Sequence, residues 1–151
     1  MPSNPLPLPR VLCVDDDEDS REMLTALLRF SRIEAKAVAT AAQALSLIQA
    51  ERFDLYLLDA WLPDLDGFEL CRRMRVFDAH TPILFYSGAA YEDDKKRGIE
   101  AGANAYVIKP DVDGLLGSIT QFVFHVESAA AWGISWARRE SFSPPFTFEI
   151  A

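Results

Sequence analysis

Residues 55–59 read Leu-Tyr-Leu-Leu-Asp, four consecutive large apolar side chains that end on an acid. The breakers Pro63 and Asp66-Gly67 follow. A short continuous apolar run bounded in this way predicts a strand buried on both faces. Working outward, the same pattern recurs. Val11–Val14 runs into Asp15-Asp16, Ile83–Tyr86 runs into Ser87, and Ala105–Ile108 runs into Lys109. Glu34–Val38 is a weaker strand that suits an edge.

The intervening segments have helical spacing. Asp19–Phe30 aligns Met23, Leu24, Leu27 and Leu28. Thr40 with Gln43 forms a capping-box signature ahead of Ala41, Ala44, Leu45 and Ile48. Asp66 with Glu69 starts a helix whose stripe is Leu70, Met74 and Phe77. Glu92–Ala101 is a poor helix, charged almost throughout, with Ile99 as its one large apolar residue and Gly102 as a left-handed stop. The last helix opens near Asp113 and carries Leu115, Leu116, Ile119, Phe122, Val123 and Val126. Five strand–helix units between about Arg10 and Glu127 predict an α/β domain with a parallel sheet covered on both faces. The pattern alone leaves the strand order open.

Bulk properties bound the function. The chain has 151 residues, enough for one well-packed domain. Its net charge of −8 and the lack of a basic patch argue against nucleic-acid binding. Cys13 and Cys71 lack metal-ligand spacing and read as reduced buried thiols of a cytoplasmic protein. Gln121, His125 and Glu127 interrupt the longest apolar stretch, so no membrane span is expected. Residues 1–9 read as a disordered proline-rich lead-in, 10–127 as the domain, and 128–151 as an extension that continues the last helix and ends in an irregular tail. That tail is too short for a folded DNA-binding output domain. Its Trp132, Trp136 and Phe142 suggest either packing on its own domain or a docking segment, with a homodimer as one outcome.

In an open parallel sheet, ligands bind at the carboxyl ends of the strands. Asp15, Asp16, Asp59, Ser87 and Lys109 therefore converge on one rim. Two carboxylates about 4 Å apart repel by about 4 kcal/mol at an effective dielectric near 20, so a proton or a cation must sit among them. Three hard oxygen ligands on an open rim suit Mg²⁺. A carboxylate beside Mg²⁺ is a competent nucleophile toward phosphorus, and Lys109 and Ser87 can hold the remaining oxygens. Taken singly, the Asp-Asp pair also suits a helix N-cap, and Asp59, Ser87-Gly88 and Lys109-Pro110 suit turns. Their joint placement at strand ends favours the chemical reading.

The segments VLCVDDDEDSRE, DLYLLDAWLPDLDGFEL, PILFYSGAA and AGANAYVIKP resemble the response-regulator receiver family of two-component signalling. The resemblance spans about Arg10 to Glu127. It implies a flavodoxin-like, doubly wound five-stranded sheet of order 2-1-3-4-5 with helices on both faces. By resemblance Asp59 is the phosphoacceptor, Asp16 a direct metal ligand, and Asp15 a ligand acting largely through water. The backbone carbonyl of Trp61 completes the metal site. Ser87 is the switch hydroxyl, Lys109 binds the phosphoryl group through a cis bond to Pro110, and Tyr106 is the aromatic switch position. A core-packing tyrosine is the alternative at 106. The implied partners are a sensor histidine kinase or histidine phosphotransfer protein and a downstream protein target, here for a stand-alone receiver. The chain would catalyse only its own phosphoryl transfer and slow autodephosphorylation. Two rivals remain: a phosphatase of the haloacid-dehalogenase type, which needs an acid where Trp61 stands, and a receiver-like interaction module working without phosphorylation.

Overall fold

The structure is a computed structural model that describes residues 7–131, and the side chains of residues 7–124. In chain order the elements are β1 (Arg10–Val14), α1 (Glu18–Phe30), β2 (Glu34–Val38), α2 (Ala41–Ala50), β3 (Leu55–Leu58), α3 (Gly67–Phe77), β4 (Ile83–Ser87), α4 (Glu92–Ala101), β5 (Ala105–Ile108) and α5 (Val112–Ala131). The five strands form one sheet in the order β2-β1-β3-β4-β5, parallel at every pairing. Strand order and class are those expected of a flavodoxin-like fold.

Side chains along a strand alternate between the two faces of the sheet. Here that alternation builds two cores. Leu12, Val14, Tyr56, Leu58, Ile83, Phe85 and Tyr106 meet α2, α3 and α4 through Ala44, Ile48, Phe68, Leu70 and Met74. Val11, Cys13, Leu55, Leu57, Leu84, Tyr86 and Val107 meet α1 and α5 through Leu24, Leu28, Leu115, Ile119 and Val123. Continuous apolar runs are therefore required in β1, β3 and β4, because neither face has a polar neighbour. β2, bonded on one side only, is half-exposed along its length.

The helix starts follow local chemistry. Asp17 caps α1 by accepting the Ser20 N–H at 2.9 Å. Thr40 and Gln43 form the reciprocal capping box of α2. Asp66 accepts the Glu69 N–H at 2.8 Å and caps α3. Gly102 closes α4 at φ 119°.

Three expectations need correction. Phe77 does not extend the buried stripe of α3 and is 56% exposed. It is the last residue of the helix, at the lower rim of the sheet, where it lines a shallow crevice with Ile48 and Phe53. Met23 lies on the shoulder of α1 and is exposed, leaving Leu24 and Leu28 as its buried contacts. In α4 the buried positions are Asp94, Gly98 and Ala101, with Ile99 only half-buried. Trp132, Trp136 and Phe142 lie outside the described residues.

Candidate functional site

The site lies one residue beyond the strand ends, and the sheet ladder places it there. Asp15 N–H donates to the Val38 carbonyl at 3.0 Å, Asp59 N–H to the Val14 carbonyl at 2.9 Å, and Lys109 N–H to the Ser87 carbonyl at 2.9 Å. Each bond adds a rung and fixes the direction in which the next side chain leaves the sheet. The bond between Lys109 and Pro110 is cis, as the resemblance implied.

Asp59 is at the centre of the side-chain contacts. Its Oδ1 accepts the Ser87 hydroxyl at 2.8 Å and the Trp61 N–H at 3.3 Å. Its Oδ2 lies 3.3 Å from Lys109 Nζ. Lys109 is closer to Asp15, at 2.7 Å from Oδ2, and Asp15 Oδ1 accepts the Asp17 N–H at 2.9 Å. Asp16 is exposed on the same rim, and carboxylate oxygens of Asp15, Asp16 and Asp59 lie within 4.8 Å of one another.

Burial raises the pKa of Asp15 above the ordinary carboxylate value, although its bonds to Lys109 and to the Asp17 N–H pull the other way. Burial alone would lower the pKa of Lys109, but its bond to Asp15 and the charge of Asp59 raise it instead. Lys109 therefore stays protonated and offsets part of the acidic charge. One ammonium against three carboxylates still leaves net negative charge. An oxygen-only donor set on an open rim fits a hard divalent cation.

Tyr106 is fully buried and donates its hydroxyl to the Ala89 carbonyl at 2.7 Å. Ala89 N–H in turn lies 3.2 Å from Ser87 Oγ. Asp59, Ser87, Ala89 and Tyr106 thus form one continuous hydrogen-bonded path. Beneath it, Phe68, Phe85 and Tyr106 pack ring against ring at 5.3 Å between successive centroids. Trp61 meets Phe68 edge-on at 5.9 Å and remains 52% exposed.

The family model of the response regulator receiver domain matches residues 11–120. The chain belongs to this family. A 101-residue stretch is 39% identical to the DNA-binding response regulator MtrA of Mycolicibacterium smegmatis, covering 67% of this chain and 44% of that protein. The transcriptional regulatory protein PrrA of Mycobacterium tuberculosis is 38% identical over 104 residues, 69% of this chain and 45% of that protein. The chain thus spans less than half the length of these curated relatives. Among solved structures, a CheY-like receiver domain protein from Methanospirillum hungatei superposes with a TM-score of 0.75 at 32% identity, covering 80% of this chain and 98% of that one. The chemotaxis response regulator CheY4 of Vibrio cholerae gives 0.72 at 28% identity, with 77% and 99% covered.

In this receiver domain Asp15, Asp59, Ser87 and Lys109 are in direct contact, Asp16 and Trp61 border them, and Tyr106 joins through Ala89. Sequence reasoning missed two supporting residues. A Cβ at Gly67 would lie 2.1 Å from the Asp59 carbonyl oxygen, so only glycine lets α3 start this close to the acceptor. Arg97 stacks its guanidinium on Phe68 at 4.2 Å, from the exposed side of α4. Gly67 was legible as half of a turn signal; Arg97 had no signal beyond its charge.

Proposed function

We propose that the receiver domain accepts a phosphoryl group on Asp59 from a phosphohistidine, carried by a sensor histidine kinase or a histidine phosphotransfer protein, and passes the signal to a protein target. The observation that carries this reading is the position of the Asp59 carboxylate: a hydroxyl on one oxygen, an ammonium on the other, and two further carboxylates on the same rim. Asp15, Asp16, Asp59 and the Trp61 carbonyl would hold Mg²⁺. When bound, that ion would neutralise the cluster and the incoming phosphoryl oxygens.

An Asp59 oxygen forms the new bond to phosphorus as the phosphorus–nitrogen bond of the donor breaks, and the electron pair leaves with the imidazole. Lys109 already bridges Asp15 and Asp59, so it can follow the charge onto a phosphoryl oxygen with a small displacement. The Ser87 hydroxyl exchanges its bond to Asp59 for one to another phosphoryl oxygen, which pulls on the segment around Ala89. The resemblance led us to expect Tyr106 to turn inward on phosphorylation; here it is inward and bonded to Ala89. Its hydroxyl would hold this loop in the arrangement that the target reads.

Asp59→Asn keeps the shape and removes the nucleophile. Incubated with Mg²⁺ and a small-molecule phosphodonor, the wild-type chain should gain one phosphoryl mass and the variant none. Stoichiometric labelling of the variant would place the acceptor elsewhere.

A further inference from the structure

The edge of the sheet at β2 is prepared for one more strand. Among the described residues β2 pairs with β1 alone. Glu34 donates its N–H to the Pro9 carbonyl, and the Val38 carbonyl accepts the Asp15 N–H, so positions 34, 36 and 38 face β1. Backbone groups alternate in direction along a parallel strand. The N–H and C=O groups of Ala35 and Ala37 therefore point away from the sheet.

Edge strands are commonly blunted by charges that project past the edge. Here the two charged residues are tied back instead. Glu34 binds Arg10 at 2.6 Å, and Lys36 binds Glu51 at 2.7 Å. Beside the open edge, Ala37, Val38, Ala42 and Leu47 line a shallow, mainly apolar groove of about 590 Å³ between β2 and α2.

We propose that residues 146–150 of this same chain, Phe-Thr-Phe-Glu-Ile, add to β2 as a sixth strand and set Phe148 into that groove. The segment alternates with period two: Phe146, Phe148 and Ile150 share one face, and Thr147 and Glu149 share the other. It is rich in strand-favouring residues. Pro144-Pro145 disfavours a helical approach and delivers Phe146 extended. The tether is long enough. α5 packs across β5 and β3 and ends at Ala131. From β3 to β2 is about 10 Å, and from β5 about 19 Å. Residues 132–145 can span up to about 45 Å. A tether of this kind supplies a local concentration on the order of millimolar, which favours the chain's own tail over a second copy at ordinary protein concentrations.

The test is amide hydrogen exchange by NMR on the full chain and on its Phe148→Asp variant, whose change lies outside the receiver core. The Ala35 and Ala37 amides should exchange at least tenfold more slowly in the wild type, at a rate independent of protein concentration, and lose that protection in the variant. Unprotected amides in both proteins, or equal protection in both, overturns the proposal. Protection that grows with concentration alongside a doubled mass also overturns it, and assigns the edge to a second copy.

Discussion

Asp59 shows how few atoms set the chemistry of this surface. Its two carboxylate oxygens meet different partners, Ser87 on one side and Lys109 on the other. Trp61, two residues on, is held beside it by a backbone N–H on Oδ1 and by the edge-on contact with Phe68. The indole carries no carboxylate or amide that could orient a water molecule along the Asp59–phosphorus line, and Ala89 carries none either. Trp61→Asn should therefore shorten the life of the phosphorylated domain. The expected gain is roughly tenfold, below the about 10²–10⁴ of a full general base. Phosphorylated wild type and variant, freed of donor and followed by intact mass, give the comparison. Equal or slower loss from the variant would discard the shielding idea. The indole also reports on the site, because phosphoryl binding beside it should change its fluorescence.

At the scale of an element, α4 explains why a helix with so little apolar surface stays on the sheet. It packs by having no side chain at Gly98, where a Cβ would fall 2.8 Å from a Tyr106 ring carbon and 3.1 Å from one of Phe85. Close approach brings the Arg97 guanidinium over Phe68, so α4 is held by ring contacts from its neighbours more than by its own residues. Gly98→Ala should gain about 1 kcal/mol of helix propensity and lose more, since overpacking of fixed core rings costs about 1–3 kcal/mol. A net loss of about 1 kcal/mol in urea unfolding is expected, with chemical-shift changes at Tyr106. A stabilised variant with an unmoved Tyr106 would show that α4 is not seated this tightly. Reading the segment for large apolar residues singled out Ile99 and took Gly98 as a weakness. That reading failed because a glycine contact registers as an absence in any hydrophobic pattern.

The whole molecule couples to pH and to metal through different ends of the sheet. At the end opposite the site, Asp78 accepts bonds from Tyr56, Thr81 and the His80 and Thr81 amides. Burial alone would raise its pKa, but these donors, Thr81 first, bring it down to about 2. A carboxylate depressed on folding adds stability that is present above its unfolded pKa near 3.8 and is lost as pH falls toward 2. Asp78→Asn should therefore flatten the fall in unfolding free energy between about pH 4 and 2. An unchanged acid limb would show that the four donors do not hold the charge. At the site end, Mg²⁺ that binds the folded cluster alone should stabilise by about 2.7 kcal/mol at a hundredfold excess over Kd, raising Tm by several degrees. A chelator should reverse the rise. Asp16→Ala removes an exposed ligand without opening the core, so the variant should keep its fold and lose most of the Mg²⁺ shift. An equal shift in the variant would put the metal elsewhere.

Local order was sufficient for some of this. Periodicity set the strand and helix alternation, Thr40, Asp66 and Gly102 marked their ends, and acids, a hydroxyl and a lysine at strand termini named the site. These features are encoded within a few residues, where backbone geometry and capping chemistry act directly. What the tertiary structure decided is which of them meet. Lys109 takes Asp15 as its nearer partner across 94 positions of sequence. Strand order brings those two together, and the bare residue pattern left that order open until family resemblance supplied it. Phe77 falls outside the core because its helix outruns the sheet. Tyr106 lies inward because Gly98 leaves room for its ring and the Ala89 carbonyl stands within reach of its hydroxyl. Each of these depends on distances between elements, and no stretch of sequence contains both ends of such a distance.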